Sequence, residues 1–478
     1  MVSFKTILAG VALALPGAVQ AASRPNVLFI MADDLNHWVG YLGRNKQTLT
    51  PNIDRLAASG MSFTRSYCAA PVCNPSRASM FSGRRPGATG VYGNAQDWRT
   101  VVPREETLIT TLRKGGYEML AAGKIYHESF NRRDEYDDYN KLPPLGGARN
   151  KTTRPPDGFN QVIFAPLAAG DEAMPDYHEA SYGIEQLGKP HAKPFFLAIG
   201  FHKPHPPFIV PQKYFDLHPL ESIELPPFRA DDLDDLPPLG KRSGLGQGTH
   251  AMITAAGKWK EAIQAYLATI SFVDAQLGRL LDALDQSAYR DNTIVVFLGD
   301  HGWQFGEKYH WGKTTLWEEV ARAPLLWKVP GLTPPGSVCE RTVDFMTLYP
   351  TLCDLCGVPI PKHVEGVSIR PLLANPKAAW AQPGITTYGR GRHAIRTEKW
   401  RYIHYEDGTE ELYDDENDPY EWTNLAAKPE FAAQKRTLAA YLPKENKPGI
   451  KATGREDEGE PGDRAAKAAA RKARKQKK

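Results

Sequence analysis

The side chains with chemistry to offer in this sequence stand just after short apolar runs. Asp33-Asp34 follows the run Asn26 to Met31, and Asp300-His301 follows Thr293 to Leu298. Adjacent carboxylates repel one another unless a cation neutralises them, and a hard divalent ion with oxygen ligands, Ca2+ or Mg2+, suits such a set. Taken alone, Asp33-Asp34 also fits a helix N-cap or a turn. Gly123-Lys124-Ile125-Tyr126-His127 follows Met119 to Ala122, and His202-Lys203-Pro204-His205-Pro206 follows Phe195 to Gly200. His310-Trp311-Gly312-Lys313 lies beyond the Asp300 segment. Lysines offer fixed charge to an anion, and histidines move protons near neutral pH. Cys73-Asn74-Pro75-Ser76-Arg77 places a thiol at a helix start: Asn74 is expected to cap, Pro75 to fill the first turn, and Ser76 to Phe81 to continue. A helix N-terminus presents free N–H groups and positive potential, a favourable place for an anion. Singly, each Lys or His also fits a satisfied polar residue, and Cys73 an ordinary buried thiol.

Four strands are needed to bring these residues to one edge. The apolar runs alternate with helical patterns, among them a long helix from Lys260 to Leu284. That alternation predicts an α/β fold, a large mixed but mostly parallel sheet flanked by helices, in which ligands bind beyond the C-terminal strand ends. Segments 131–190 and 203–250, rich in Pro, Gly and charge, read as long insertions. Past about residue 380, Ala394-Ile395-Arg396, Trp400 to Tyr405 and Glu411 to Asp414 predict a smaller subdomain with a short antiparallel sheet. The expected units are a signal peptide over 1–22, the main α/β domain over 23–380, a C-terminal subdomain over 381–445 and a basic low-complexity tail over 446–478. No internal repeat is visible.

The 478 residues are 41% hydrophobic, enough for a large core. Lys5, the apolar stretch Ile7 to Leu15 and the site Val19-Gln20-Ala21 form a secretory signal too short to span a membrane. No cysteine follows it to carry a lipid, and no later run is long and apolar enough to insert stably. A periplasmic or secreted protein is expected. Residues 464–478 hold eight Lys or Arg and no acid, so the formal charge of +4 conceals a body of net charge −4. Without a basic patch on that body, nucleic-acid binding is not indicated. Cys353 and Cys356 fall in an amphipathic helix pattern ending at Gly357, which favours a structural role over a redox or zinc site.

Cys73-Asn74-Pro75-Ser76-Arg77 resembles the C-x-P-S-R signature of type I sulfatases, formylglycine-dependent members of the alkaline phosphatase superfamily. In that family a maturation enzyme oxidises the Cys to formylglycine. The hydrated aldehyde attacks sulfur with one oxygen and expels sulfate through the other. The resemblance implies that Cys73 is so modified and that the metal is held by Asp33, Asp34, residue 73, Asp300 and His301. It further implies that Arg77 orients the nucleophile and the Asp ligands, and that Lys124 and Lys313 contact sulfate. His127 would then bond the formylglycine, with His205 or Lys313 as general acid. His301, where many arylsulfatases have Asn, agrees with the iduronate-2-sulfatase-like branch, as do the Lys124–His127 and His202–His205 segments. Conversion of Cys73 would leave Cys68, Cys339, Cys353 and Cys356, a number that permits disulfides in an exported protein.

Substrate contacts are expected from Asp97, Trp98 and Arg99 after the nucleophile helix, together with Asn94 and Gln96. Arg390, Arg392 and His393 of the C-terminal part suit a uronate carboxylate or a second sulfate. The same residues also fit core packing at Trp98 and a solvated loop for the arginines. The expected activity is release of inorganic sulfate from a sulfated polysaccharide or oligosaccharide, with uronic acid or galactose units as examples. The alternatives are a phosphatase or phosphonate monoester hydrolase of the same superfamily and a non-catalytic glycan-binding protein.

Overall fold

The computed structural model describes residues 24–140, 152–154, 156–246 and 248–453. The expected signal peptide and the basic run 464–478 lie outside the described residues.

The runs that precede the reactive residues are strands. Asn26–Asp33 (β1), Met61–Tyr67 (β2), Glu118–Gly123 (β3), Asp138–Asn140 (β4), Phe195–Pro204 (β5), Thr293–Gly299 (β6), Leu325–Lys328 (β7) and Ser337–Asp344 (β8) form one eight-stranded sheet. Its order is β8-β2-β7-β6-β1-β5-β3-β4. All neighbours run parallel except β7, which is antiparallel to β2 and to β6. β1 and β6 are buried along their whole length, as the continuous apolar character of interior parallel strands requires.

Alternation along β1 assigns its two faces. Leu28, Ile30 and Ala32 pack with Pro51–Ser59 (α1), Pro175–Leu187 (α4) and Trp259–Gln286 (α5). Val27, Phe29 and Met31 pack with Cys73–Ser82 (α2), Leu108–Lys114 (α3) and Leu348–Leu355 (α6). The sheet is thus covered on both sides, and its C-terminal edge is left for loops. Helix α5 starts one residue before and ends two after the expected span.

Described parts of the segments expected as insertions form strands. Asp157–Phe159, Val162–Leu167 and Phe208–Pro211 form a three-stranded sheet whose Phe164, Leu167, Phe208 and Ile209 join the α5-side core. The C-terminal subdomain contains a four-stranded antiparallel sheet: Gly384–Thr387 (β9), His393–Arg396 (β10), Trp400–His404 (β11) and Glu410–Asp414 (β12). β9 escaped the sequence reading because Gly384 and two threonines surround its single large apolar residue. A buried ionic knot holds this sheet to the main body. The Arg401 guanidinium pairs with Glu318 and Glu421, and Arg396 pairs with Asp415 at 2.7 Å.

The first residues of the expected tail are hydrogen-bonded to the main body. Residues 446–453 form an ordered strap: Lys447 N–H donates to Gly87 O (2.9 Å), Ile450 N–H to Gly90 O (3.0 Å) and Thr453 N–H to Ala95 O (2.8 Å). All five cysteines are buried free thiols, so the disulfides that the count permits are not formed. Cys353 lies inside α6 and Cys356 caps its end. No helix among the described residues is long and apolar enough to cross a membrane.

Candidate active site

Asp33 ends β1, and the next residue turns the chain. Asp34 adopts φ 62°, a left-handed conformation that few non-glycine residues take and that Asp tolerates. The turn is held from both sides. Asp34 N–H donates to Asp300 Oδ1 at 3.0 Å, and Tyr266 OH donates to Asp34 O at 2.8 Å. Asp300 follows the adjacent parallel strand β6, so the two strands deliver three carboxylates to one point. All three are fully buried.

Helix α2 brings Cys73 and Arg77 to the same point. Its N-cap is the extended Val72, and Cys73 opens the helix. The expectation that Asn74 caps is corrected: Asn74 lies within the first turn, and its side-chain amide donates to Gly93 O (2.9 Å) and Gln96 O (2.8 Å), tethering the next loop. Ser76 Oγ donates to Asp300 O at 2.7 Å, docking the helix on β6. The buried Arg77 pairs with Asp300 (Nε, 2.8 Å) and Asp33 (Nη2, 3.0 Å) and donates to the Lys124 and Ile125 carbonyls.

The third and fourth strands complete the group. Gly200 of β5 lets the loop after β3 approach, since a Cβ there would stand 2.1 Å from Lys124 O. Lys124 Nζ pairs with Asp33. Lys313 Nζ lies 3.0 Å from both Asp34 Oδ1 and Cys73 Sγ. His301 Nε2 is 3.4 Å from Cys73 Sγ, and His205 Nε2 is 3.9 Å from Asp34 Oδ2. His127 is buried beyond β3 beside Phe130.

Ligand atoms of Asp33, Cys73, Asp300 and His301 lie within 4.8 Å of one another, and so do those of Asp33, Asp34, Cys73 and His205. These carboxylates, with one imidazole in each set, suit a hard dication. Its charges are unevenly matched. Burial raises Asp33, but Lys124 and Arg77 more than offset that and hold it well below the usual carboxylate range. Burial raises Asp34, and Lys313 only partly opposes it. Burial, reinforced by Asp33, pushes the Cys73 thiol well up, so as a thiol it is a weak nucleophile.

A cavity of about 510 Å³ opens beside this centre, lined by Val72 and Thr314, the neighbours of Cys73 and Lys313. Asn94, Gln96, Arg390 and Arg392 also line it. Glu406 neutralises Arg392 through two bonds of 2.6 and 2.7 Å. Arg390 donates to Asn446 O at 2.9 Å and has no carboxylate partner among the described residues.

Four expected substrate contacts do not reach this cavity. Trp98 is fully buried, stacks on Tyr126 with centroids 4.8 Å apart and donates its indole N–H to Phe130 O, so it is core. Asp97 and Arg99 pair with each other, and Arg99 also bonds Asn131 O. His393 is buried against Thr387 (3.0 Å) and Asn446 (2.9 Å), where it braces the strap. The sequence reading missed Tyr92, Tyr388, Glu406 and the strap residues Gly449, Ile450 and Ala452, all of which line the cavity. Tyr388 had one advance signal, its position beside Arg390; the strap residues had none.

A sulfatase family model matches residues 25–358, and a model described as N-sulphoglucosamine sulphohydrolase, C-terminal, matches 306–447. A sulfatase of Formosa agariphila is 39% identical over 88% of this chain and 87% of its own length. Human iduronate 2-sulfatase is 32% identical over 74% of each chain. Among solved structures, the phosphonate monoester hydrolase of Agrobacterium radiobacter shares the alkaline phosphatase/sulfatase-like fold, with a TM-score of 0.74 at 23% identity over 88% of this chain and 95% of that one. The chain therefore belongs to the sulfatase family and is a sulfuric ester hydrolase.

Proposed function

We propose that this protein removes sulfate from a sulfated glycan, with Cys73 oxidised to formylglycine as nucleophile and a Ca2+ or Mg2+ ion in the carboxylate cluster. The observation that carries this reading is the convergence of Lys313 Nζ and His301 Nε2 on Cys73 Sγ, at 3.0 and 3.4 Å, inside a buried set of metal-ligand atoms. The name of iduronate 2-sulfatase supports a uronate-containing substrate.

Asp33, Asp34, Asp300, His301 and residue 73 would hold the ion, which supplies charge stabilisation for a sulfate oxygen. The formylglycine supplies a hydrated aldehyde whose two hydroxyls serve attack and release. Lys124 and Lys313 bind the remaining sulfate oxygens, placing two fixed charges where negative charge spreads in the transition state. Arg77 keeps the Asp33 and Asp300 carboxylates in place. His127 assists release at residue 73. His205 is the better-placed acid for the leaving oxygen, because its side chain is 26% exposed and that of Lys313 only 1%. Arg390 and Arg392 face the rest of the glycan.

Conversion of Cys73 requires a formylglycine-generating enzyme, and the 1–22 segment directs export to the periplasm or beyond. The proposed units are a catalytic domain over 23–380 and a C-terminal subdomain from 381, to which the strap 446–453 is added.

The test pairs sulfate and phosphate monoesters of the same alcohols with a panel of defined sulfated oligosaccharides, using protein whose Cys73 conversion has been checked by peptide mass. Sulfate release from an oligosaccharide, lost in Cys73→Ser, is expected. Preferential phosphate release would support the phosphohydrolase alternative, and an unconverted thiol in protein from the native host the glycan-binding one.

A further inference from the structure

His202 stands between two loops that carry proposed proton-handling residues. It lies near the end of β5, three residues before His205, whose N–H donates to His202 O at 3.0 Å. Its ring Nε2 meets Glu128 Oε1 at 2.6 Å, and Glu128 directly follows His127 in the loop after β3. Its Nδ1 stands 2.8 Å from Glu179 Oε1, on a fully buried side chain in α4. One imidazole therefore ties the His127 loop, the His205 loop and a helix of the core.

The surroundings reinforce the tie. Asp176, one turn before Glu179, accepts Lys203 N–H at 2.8 Å. Lys203 Nζ donates to His205 O (3.0 Å) and Pro207 O (2.6 Å). A Cβ at Gly123 would stand 2.6 Å from Glu179 Cδ, so α4 and the end of β3 are in close contact. Burial alone would lower His202, but the flanking Glu179 and Glu128 hold it well above the ordinary histidine range. Glu128 is lowered to about 2 by the hydrogen bond from His202, and burial raises Glu179 to about 7. Both acids favour the protonated ring, which bonds Glu128 through Nε2 and stands at ion-pair distance from Glu179 through Nδ1.

We propose that His202 is a positioning residue: bridging Glu128 and Glu179, it holds the His205 loop against the neighbouring loop and helix and so places His205 at the leaving oxygen of the scissile ester. This rests on the proposed sulfate-ester chemistry. Among the described residues, neither Glu128 nor Glu179 makes a hydrogen bond or ion pair to Asp33, Cys73 or Asp300. The bridge acts by holding geometry, and displacement of a reacting group by about 1 Å costs on the order of a hundredfold in rate.

The variants are Glu128→Gln and His202→Gln. The Glu128 side chain is 66% exposed, so its loss does not threaten folding. Both are assayed on 4-nitrophenyl sulfate and on the best sulfated oligosaccharide. A nitrophenolate leaves without a proton, whereas a sugar alkoxide needs one. If the bridge positions the acid, kcat on the sugar ester falls roughly tenfold or more in both variants, KM stays constant, and the aryl ester changes by less than about threefold. Glu128→Asp should restore part of the sugar-ester rate. Equal losses on both esters, or unchanged kcat in folded Glu128→Gln and His202→Gln, would overturn the positioning role. A wild-type protein silent on both esters would instead refute the ester chemistry and remove the bridge's purpose with it.

Discussion

Arg77→Met tests the electrostatic frame of the site in a way that needs no substrate. The guanidinium is wholly buried, spans Asp33 and Asp300, and donates to two carbonyls. Removing one partner of a buried ion pair costs about 3–5 kcal/mol, because the remaining charge stays desolvated. Two features place this case at the lower end. Asp33 keeps Lys124, and Asp300 still accepts from the Asp34 and His301 amides at 3.0 Å each. The expected loss is about 3 kcal/mol in EDTA. Arg77→Lys keeps the charge but not the fork that reaches both carboxylates, and should lose about 1–2 kcal/mol. A cation bound by the same carboxylates should recover stability, by about 2.7 kcal/mol at a hundred times its dissociation constant. The recovery should be larger in Arg77→Met, where no guanidinium opposes the ion. Urea unfolding followed by tryptophan fluorescence, with EDTA and with Ca2+, reads all of these. A loss below about 1 kcal/mol in Arg77→Met would refute Arg77 as the buried counter-charge. Identical unfolding with and without Ca2+ in every protein would refute the cation site.

Other consequences are more local. Lys313→Met and Lys124→Met should each lower kcat about a hundredfold or more on an aryl sulfate, with the fold intact by circular dichroism. Arg390→Ala should raise KM about tenfold for an oligosaccharide with a second anionic group and leave an uncharged aryl sulfate unaffected, a loss of about 1.4 kcal/mol. His393 offers a pH test. Burial lowers it to about 4, and the bond to Asn446 does not compensate; His404 and Arg85 oppose its protonation as well. A depressed folded pKa means that its contribution is complete above the ordinary value near 6.5 and is lost as pH falls toward 4. Up to about 3 kcal/mol of stability should disappear across that window, and His393→Asn should flatten the loss in unfolding midpoints measured at several pH values.

The reactive centre was legible because its strands are buried on both faces. Asn26–Met31 and Thr293–Leu298 read as strands from composition alone, and the polar residues after them had to lie at one edge. Asn74 misled because a capping residue type sits one turn position inside the helix, where its amide serves the 93–96 loop instead. Trp98 misled because an aromatic beside a Gly-rich loop looks like a sugar platform, whereas Tyr126, 28 residues away, takes its face. The strap was invisible for a related reason. Lys447, Ile450 and Thr453 find their partners at Gly87, Gly90 and Ala95, a pairing across most of the chain that no local pattern announces. Position after a strand is a local property, whereas the far wall of the cavity depends on distant segments meeting.

The most direct measurement is the rate of sulfate release as a function of the fraction of Cys73 converted to the aldehyde. Preparations made with graded amounts of maturation enzyme would be quantified by peptide mass and assayed on the same sulfate ester. The account predicts a straight line through the origin, with Cys73→Ala on the origin itself. Release that is the same in converted and unconverted protein would contradict it.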